Sequence, residues 1–164
     1  MCFVKNKWTK FIPTTEYLSV VKGLTSVAKL HQFIQQFKRK EDVTDYWQTP
    51  EETLNKVTYD CDDTMRFTVD VLKRVMGINA KGVISSGYDK ARWGNKIRNV
   101  KCHAITVFPY NGKFALFSNK EFKSGYNSYE DACKYTFPDG LKSMVVRDWQ
   151  GKILSKKYKI FGVF

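Results

Sequence analysis

Asp60-Cys61-Asp62-Asp63-Thr64-Met65-Arg66-Phe67-Thr68-Val69-Asp70-Val71-Leu72-Lys73-Arg74-Val75-Met76-Gly77 is the best-marked helix in the chain. Asp60 is a good N-cap, and Asp62 and Asp63 fall in the first turn, where carboxylates favour the positive end of the helix dipole. Met65, Val69, Leu72 and Met76 recur at spacings of three and four and predict one apolar face, and Gly77 is a natural stop. The helix therefore begins at Cys61. A cysteine is a nucleophile only as thiolate, and free N–H groups at a helix N-terminus lower a thiol pKa. On its own Cys61 reads sooner as a small buried residue than as a nucleophile, so the case for chemistry rests on what surrounds it.

Upstream, Thr49-Pro50-Glu51-Glu52 carries a capping box with proline at the first helical position and predicts a short helix to about Lys56. Residues 16–39 read as helical in two pieces divided near Gly23, with Val27, Leu30, Ile34 and Phe37 in one stripe. Downstream the period changes to two. Residues 80–85 predict a strand, 87–100 a long basic loop, and Cys102–Phe108 and Phe114–Asn119 two strands joined through Asn111-Gly112. A short helix over 128–135 and a second hairpin, 142–147 with 153–160, complete the chain. Helices followed by antiparallel strands make an α+β domain, with N-terminal helices packed on an antiparallel β-sheet.

The chain has two histidines. His31 lies in the N-terminal helical region among bland neighbours. His103 opens the strand that leads into the Asn111-Gly112 hairpin, and so can serve as base to Cys61. The hairpin also offers a third residue to hold its ring. A three-residue loop ending on Gly112 puts Asn119 on the face of His103, and this is the first choice. A two- or four-residue loop shifts the register by one and puts Ser118 there instead. For the oxyanion of an acyl intermediate, the backbone N–H of Cys61 is one donor, and Gln48, Trp47 or Asn55 is the candidate for a second.

These pieces together resemble the transglutaminase-like cysteine peptidases, and especially their bacterial branch. The matching residues are Asp45-Tyr46-Trp47-Gln48-Thr49-Pro50-Glu51-Glu52, Asp60-Cys61-Asp62-Asp63, His103-Ala104 and Phe117-Ser118-Asn119, in that order over roughly half the chain. The resemblance implies a papain/transglutaminase-like fold, a nucleophile at Cys61, a base at His103, and hydrolysis or acyl transfer at a peptide, isopeptide or glutamine amide. Two positions depart from the family pattern. Tyr59 precedes the nucleophile motif where glycine is common, and Ser118 stands where the third residue is usually Asp.

Composition sets the bounds. The 164 residues, 43% hydrophobic and 15% aromatic, suit one packed domain over 1–164 and exclude a disordered chain. Apolar runs are too short to span a membrane, and the start Met1-Cys2-Phe3-Val4-Lys5 lacks a secretory pattern, so a cytoplasmic protein is expected. Its four cysteines, Cys2, Cys61, Cys102 and Cys133, are then expected as free thiols. No cofactor is expected. No metal is assigned either, because Asp62 and Asp63 are accounted for as first-turn acids and Cys102 next to His103 has no paired ligand spacing.

The net charge of +12 is uneven. Acids crowd residues 41–63, whereas Tyr88, Arg92, Trp93, Lys96 and Arg98 bring bases and aromatics together in the loop before His103. That loop suits an acidic protein or peptide substrate, or nucleic acid. Two rival functions follow. In one, the fold is a scaffold with weak or no catalysis, binding nucleic acid or an acidic partner through the loop. In the other, Asp60-Cys61-Asp62-Asp63-Thr64 is a D-x-D-x-T phosphatase motif with magnesium, which requires a parallel sheet.

Overall fold

Asp60 Oδ1 accepts the backbone N–H groups of Asp62 and Asp63, and Asp63 Oδ2 accepts that of Asp60, at the head of the central helix of a computed structural model. The structure describes residues 8, 10–40, 46–88, 100–137 and 140–158. Similar local signals start the other helices. Thr14 caps α1 (Thr15–Val21), Ser26 caps α2 (Val27–Ile34), and Thr49 with Glu52 forms the expected capping box of α3 (Pro50–Lys56). α2 ends before the sequence pattern suggests. Phe37 still joins the buried stripe, but through a turn, and the next residues form a two-residue strand β1 (Lys38–Arg39). β1 pairs in parallel with β2 (Thr58–Tyr59), which leads into α4 (Cys61–Met76).

Six strands follow: β3 (Lys81–Tyr88), β4 (Val100–Tyr110), β5 (Lys113–Ser118), β6 (Glu121–Tyr126), β7 (Leu141–Arg147) and β8 (Ile153–Tyr158), with α5 (Tyr129–Thr136) between β6 and β7. They form one sheet in the order β6-β5-β4-β3-β7-β8, every pair antiparallel. The fold class is α+β as read from sequence. An antiparallel main sheet is incompatible with the phosphatase alternative. Asp60, its required nucleophile, is spent on capping α4.

Alternation along the strands sorts the core into two halves. Ala104, Phe108, Ala115 and Phe117 join Tyr17, Leu30, Ile34, Met65, Phe67 and Leu72 on the face covered by α4 and the N-terminal helices. Ile105, Val107 and Leu116 join Ala132, Cys133 and Phe137 on the face covered by α5. One expectation needs correction. α4 does not show a single apolar face; residues 62 to 72 are buried all the way round. Most polar residues inside it are paired, as burial demands, although Asp62 Oδ2 and the Arg66 Nε and Nη2 atoms are buried without a partner. Tyr17 Oη donates to Asp70 at 2.9 Å, and Arg74 closes a salt bridge to Asp70 at 2.8 Å. Thr68 and Thr106 share a 2.6 Å hydrogen bond, and Thr106 Oγ1 donates to the Met65 carbonyl at 3.0 Å. These bonds lock α4 to β4, the strand that carries His103.

Two further expectations change. β6 was not marked in the sequence, because Glu121-Phe122-Lys123-Ser124-Gly125-Tyr126 is polar and half exposed, as suits an edge strand. Of the cysteines, Cys61 and Cys133 are free, but Cys102 is disulfide-bonded, so the expectation of free thiols fails there. Among the described residues no helix is long and apolar enough to cross a membrane.

Candidate active site

The β4–β5 turn decides which residue faces His103. Tyr110 pairs with Lys113, so the loop is the two residues Asn111 and Gly112, both at positive φ (50° and 75°). This register differs by one from the three-residue loop expected first. It places Ser118 in the row of His103, and His103 Nε2 lies 2.8 Å from Ser118 Oγ. Asn119, the first choice from sequence, is corrected. It occupies the β5–β6 turn at φ 53° and makes no bond to His103. Its Oδ1 is buried without a partner.

Cys61 is the first residue of α4 and is half-buried. Its sulfur meets the backbone N–H of Ala104, the neighbour of His103, and also its own N–H. The helix terminus was expected to lower the thiol pKa. Instead the thiol is pushed up to about 12, chiefly by burial and then by the Asp62 carboxylate, which outweigh the N–H groups. The first-turn acid Asp62 and the cap Asp60, which favour the helix, both oppose the thiolate. His103 is pushed down to about 4, first by burial and then by the nearby Arg39 guanidinium. The resting pair is therefore thiol and neutral imidazole. No hydrogen bond joins Cys61 to His103 among the described residues.

Gln48 is held at the head of α4. Its N–H donates to Asp63 Oδ1 at 2.7 Å, its carbonyl accepts from Arg66 Nη1 at 2.6 Å, and its side-chain Oε1 is buried without a partner. The Trp47 carbonyl also accepts from Arg66, at 2.9 Å, and its ring packs edge-on against Trp8. Asn55 is exposed on α3, where no hydrogen bond ties it to α4. Of the three oxyanion candidates, Gln48 and Trp47 stand beside α4 and Asn55 does not.

A cleft of about 650 Å³ opens over His103, Ser118 and Asn119. Its remaining wall includes Arg39, Lys101, Lys120 and Glu121, and Cys61 is not part of that wall. The sequence reading missed Arg39, because Lys38-Arg39-Lys40 looks like the end of a helix. The basic run itself was the available signal. Of the loop residues singled out for substrate binding, Arg92, Trp93, Lys96 and Arg98 lie outside the described residues, and Tyr88 ends β3.

Asp60, Cys61 and Asp62 bring ligand atoms within 4.8 Å of one another. Asp62 Oδ2 is buried without a partner, and burial together with the charges of Asp60 and Asp63 holds the Asp62 carboxyl well above the usual carboxylate range. Asp60 and Asp62 could offer carboxylate oxygens to an oxygen-seeking cation, although Asp60 Oδ1 already accepts two backbone N–H groups; the thiol is the poor ligand in that set.

No family model and no curated protein matches the chain by sequence. Among solved structures, EGTA-treated LapG of Legionella pneumophila is similar at TM-score 0.52 and 15% identity, over 79% of this chain and 70% of that one. Calcium-bound LapG is also found, at TM-score 0.49 and 15% identity, over 79% and 72%. LapG has a papain/transglutaminase-like fold, and the likeness shows the fold alone: this chain has the same α+β architecture.

Proposed function

We propose that the protein is a cysteine-dependent amide hydrolase or acyl transferase acting on a protein or peptide, with Cys61 as nucleophile, His103 as base and Ser118 as the residue that orients His103. The observation that carries this reading is the His103 Nε2–Ser118 Oγ bond at 2.8 Å on a strand whose next amide, that of Ala104, meets the Cys61 sulfur. Ser118 engages Nε2 and leaves Nδ1 for the nucleophile.

The chemistry follows from the protonation states. A thiol near 12 beside an imidazole near 4 does not form a standing ion pair at neutral pH. His103 instead accepts the thiol proton as Cys61 Sγ bonds to the carbonyl carbon. The oxyanion is met by the Cys61 N–H, with Gln48 or Trp47 as second donor. The C–N bond then breaks and His103 gives the proton to the leaving amine. In hydrolysis, water loses a proton to His103 and attacks the thioester, the C–S bond breaks, and the proton returns to sulfur. A cation held by Asp60 and Asp62 would neutralise the carboxylates that oppose the thiolate.

A second reading is favoured by one observation. Ser118 is a neutral partner that cannot stabilise an imidazolium as a carboxylate does, which suits a scaffold with weak catalysis and a binding role. Acid-quenched mass spectrometry separates the two after incubation with a broad peptide mixture. An acyl adduct on Cys61, absent in His103→Ala, supports the enzyme. No adduct in the wild-type protein supports the scaffold.

A further inference from the structure

We propose that Ser118 is a second nucleophile, activated by His103, and that the cleft it lines hydrolyses short-chain oxygen esters. This goes beyond the amide chemistry assigned to Cys61. The cleft of about 650 Å³ is lined by His103, Ser118 and Asn119 but not by Cys61. A molecule bound in it meets the hydroxyl, not the thiol. Ser118 Oγ lies 2.8 Å from His103 Nε2, within reach for proton transfer between a nucleophile and its base.

The β5–β6 turn places the groups around this pair. β5 ends at Ser118, and Asn119 at φ 53° turns the chain there. Ser118 pairs with Glu121 across the turn, and Tyr135 Oη donates to the Glu121 carboxylate at 2.6 Å. Glu121 is thus fixed on the cleft wall, and its charge acts on His103 in the opposite sense to that of Arg39. It favours the imidazolium that forms once His103 has taken a proton. Asn119 stands on the same wall and carries a side-chain amide that can donate to an oxyanion. One imidazole serves both nucleophiles through its two tautomers. With the proton on Nε2 it donates to Ser118 and leaves Nδ1 for the thiol; with the proton on Nδ1 it accepts from Ser118.

In the second tautomer Nε2 takes the hydroxyl proton as Ser118 Oγ bonds to the ester carbonyl carbon. The bond from that carbon to the leaving oxygen breaks, and His103 gives its proton to the alcohol. Water then loses a proton to His103 and attacks the acyl group. The bond to Ser118 Oγ breaks, and the proton returns to the hydroxyl. Ester and water become acid and alcohol. An ester suits this pair better than an amide, because its carbonyl is more electrophilic and an alkoxide leaves more readily than an amide nitrogen. The acyl group is short, because Tyr59 and Phe137 on the wall are each 3% exposed and offer a long chain little apolar surface.

The test uses the whole chain carrying Cys61→Ala, so that its outcome does not depend on the thiol; failure of the Cys61 reading is seen separately, in the alkylation of Cys61. The probes are an alkyl fluorophosphonate and p-nitrophenyl acetate. The expected results are a phosphonyl adduct that peptide mass spectrometry places on Ser118, and hydrolysis of the acetate. Ser118→Ala removes both. His103→Gln, in protein that keeps its cooperative melting transition, slows the adduct by about a hundredfold or more. Ser124→Ala, which removes an exposed hydroxyl from β6, changes neither. The adduct is mapped on the Cys61→Ala chain itself, so the result stands even where Ser118→Ala fails to fold. No adduct, an adduct on Tyr135 or a lysine in place of Ser118, or Ser118 labelling that ignores His103→Gln overturns the proposal.

Discussion

His103 Nε2 and Ser118 Oγ are 2.8 Å apart, in a cleft that Cys61 does not line. The hydroxyl can fix the ring but supplies no charge to stabilise an imidazolium. Ser118→Ala should lower kcat/KM by about tenfold to a hundredfold, below the full value of a general base. Ser118→Asp should raise the His103 pKa well above about 4 and increase Cys61 reactivity at neutral pH. The His103 ring signals in NMR and the labelling rate of Cys61 check both.

Burial of neutral His103 also sets an acid limit on stability. Its folded value near 4 lies below the ordinary 6.5, so the unfolded chain binds the extra proton. The contribution is intact above the ordinary value and is lost as pH falls through the folded one. Thermal melts of His103→Gln should therefore show a shallower loss between those two pH values than the wild type.

The register that joins these residues was only half legible. Asn111-Gly112 announced a hairpin, but one residue of loop length decides whether Ser118 or Asn119 faces His103. Sequence does not fix that count when Tyr110 can belong to strand or loop. α4 was legible in its start, cap and stop because those depend on local groups. Its burial on all sides was not, since Thr64, Thr68 and Asp70 read as polar until Thr106 and Tyr17 are brought to the last two. The rise of the Cys61 pKa was hidden for a related reason: the helix terminus is a local signal, whereas the desolvation that outweighs it comes from tertiary packing.

Asp62 tests the acidic head of α4. Its carboxyl is held above the usual range, so the folded state keeps a proton that the unfolded chain releases. That contribution is present below the ordinary carboxylate value and is lost as pH rises toward the folded one. Asp62→Asn should melt higher than wild type at neutral and alkaline pH without divalent cation, with each kcal/mol worth about 2–4 °C. Millimolar calcium should raise the melting temperature of the wild type and do less for Asp62→Asn. Differential scanning calorimetry with and without chelator reads both effects.

The lock between α4 and β4 positions Cys61 against the His103 strand. Thr106→Val removes the donor to the Met65 carbonyl and the partner of Thr68, and should destabilise by about 1–3 kcal/mol. Thr68→Val should be non-additive with it. Denaturant unfolding of both single variants and the double variant measures the coupling.

The most direct test of the central claim is the rate of Cys61 alkylation by iodoacetamide between about pH 5 and 9, with and without His103. If His103 takes the thiol proton, the rate is nearly flat across this range, because the imidazole is already neutral above about 4, and His103→Ala loses about a hundredfold near pH 7. A rate that climbs about tenfold per pH unit throughout, as a lone thiol near 12 requires, and that ignores His103→Ala would contradict the assignment of Cys61 as nucleophile.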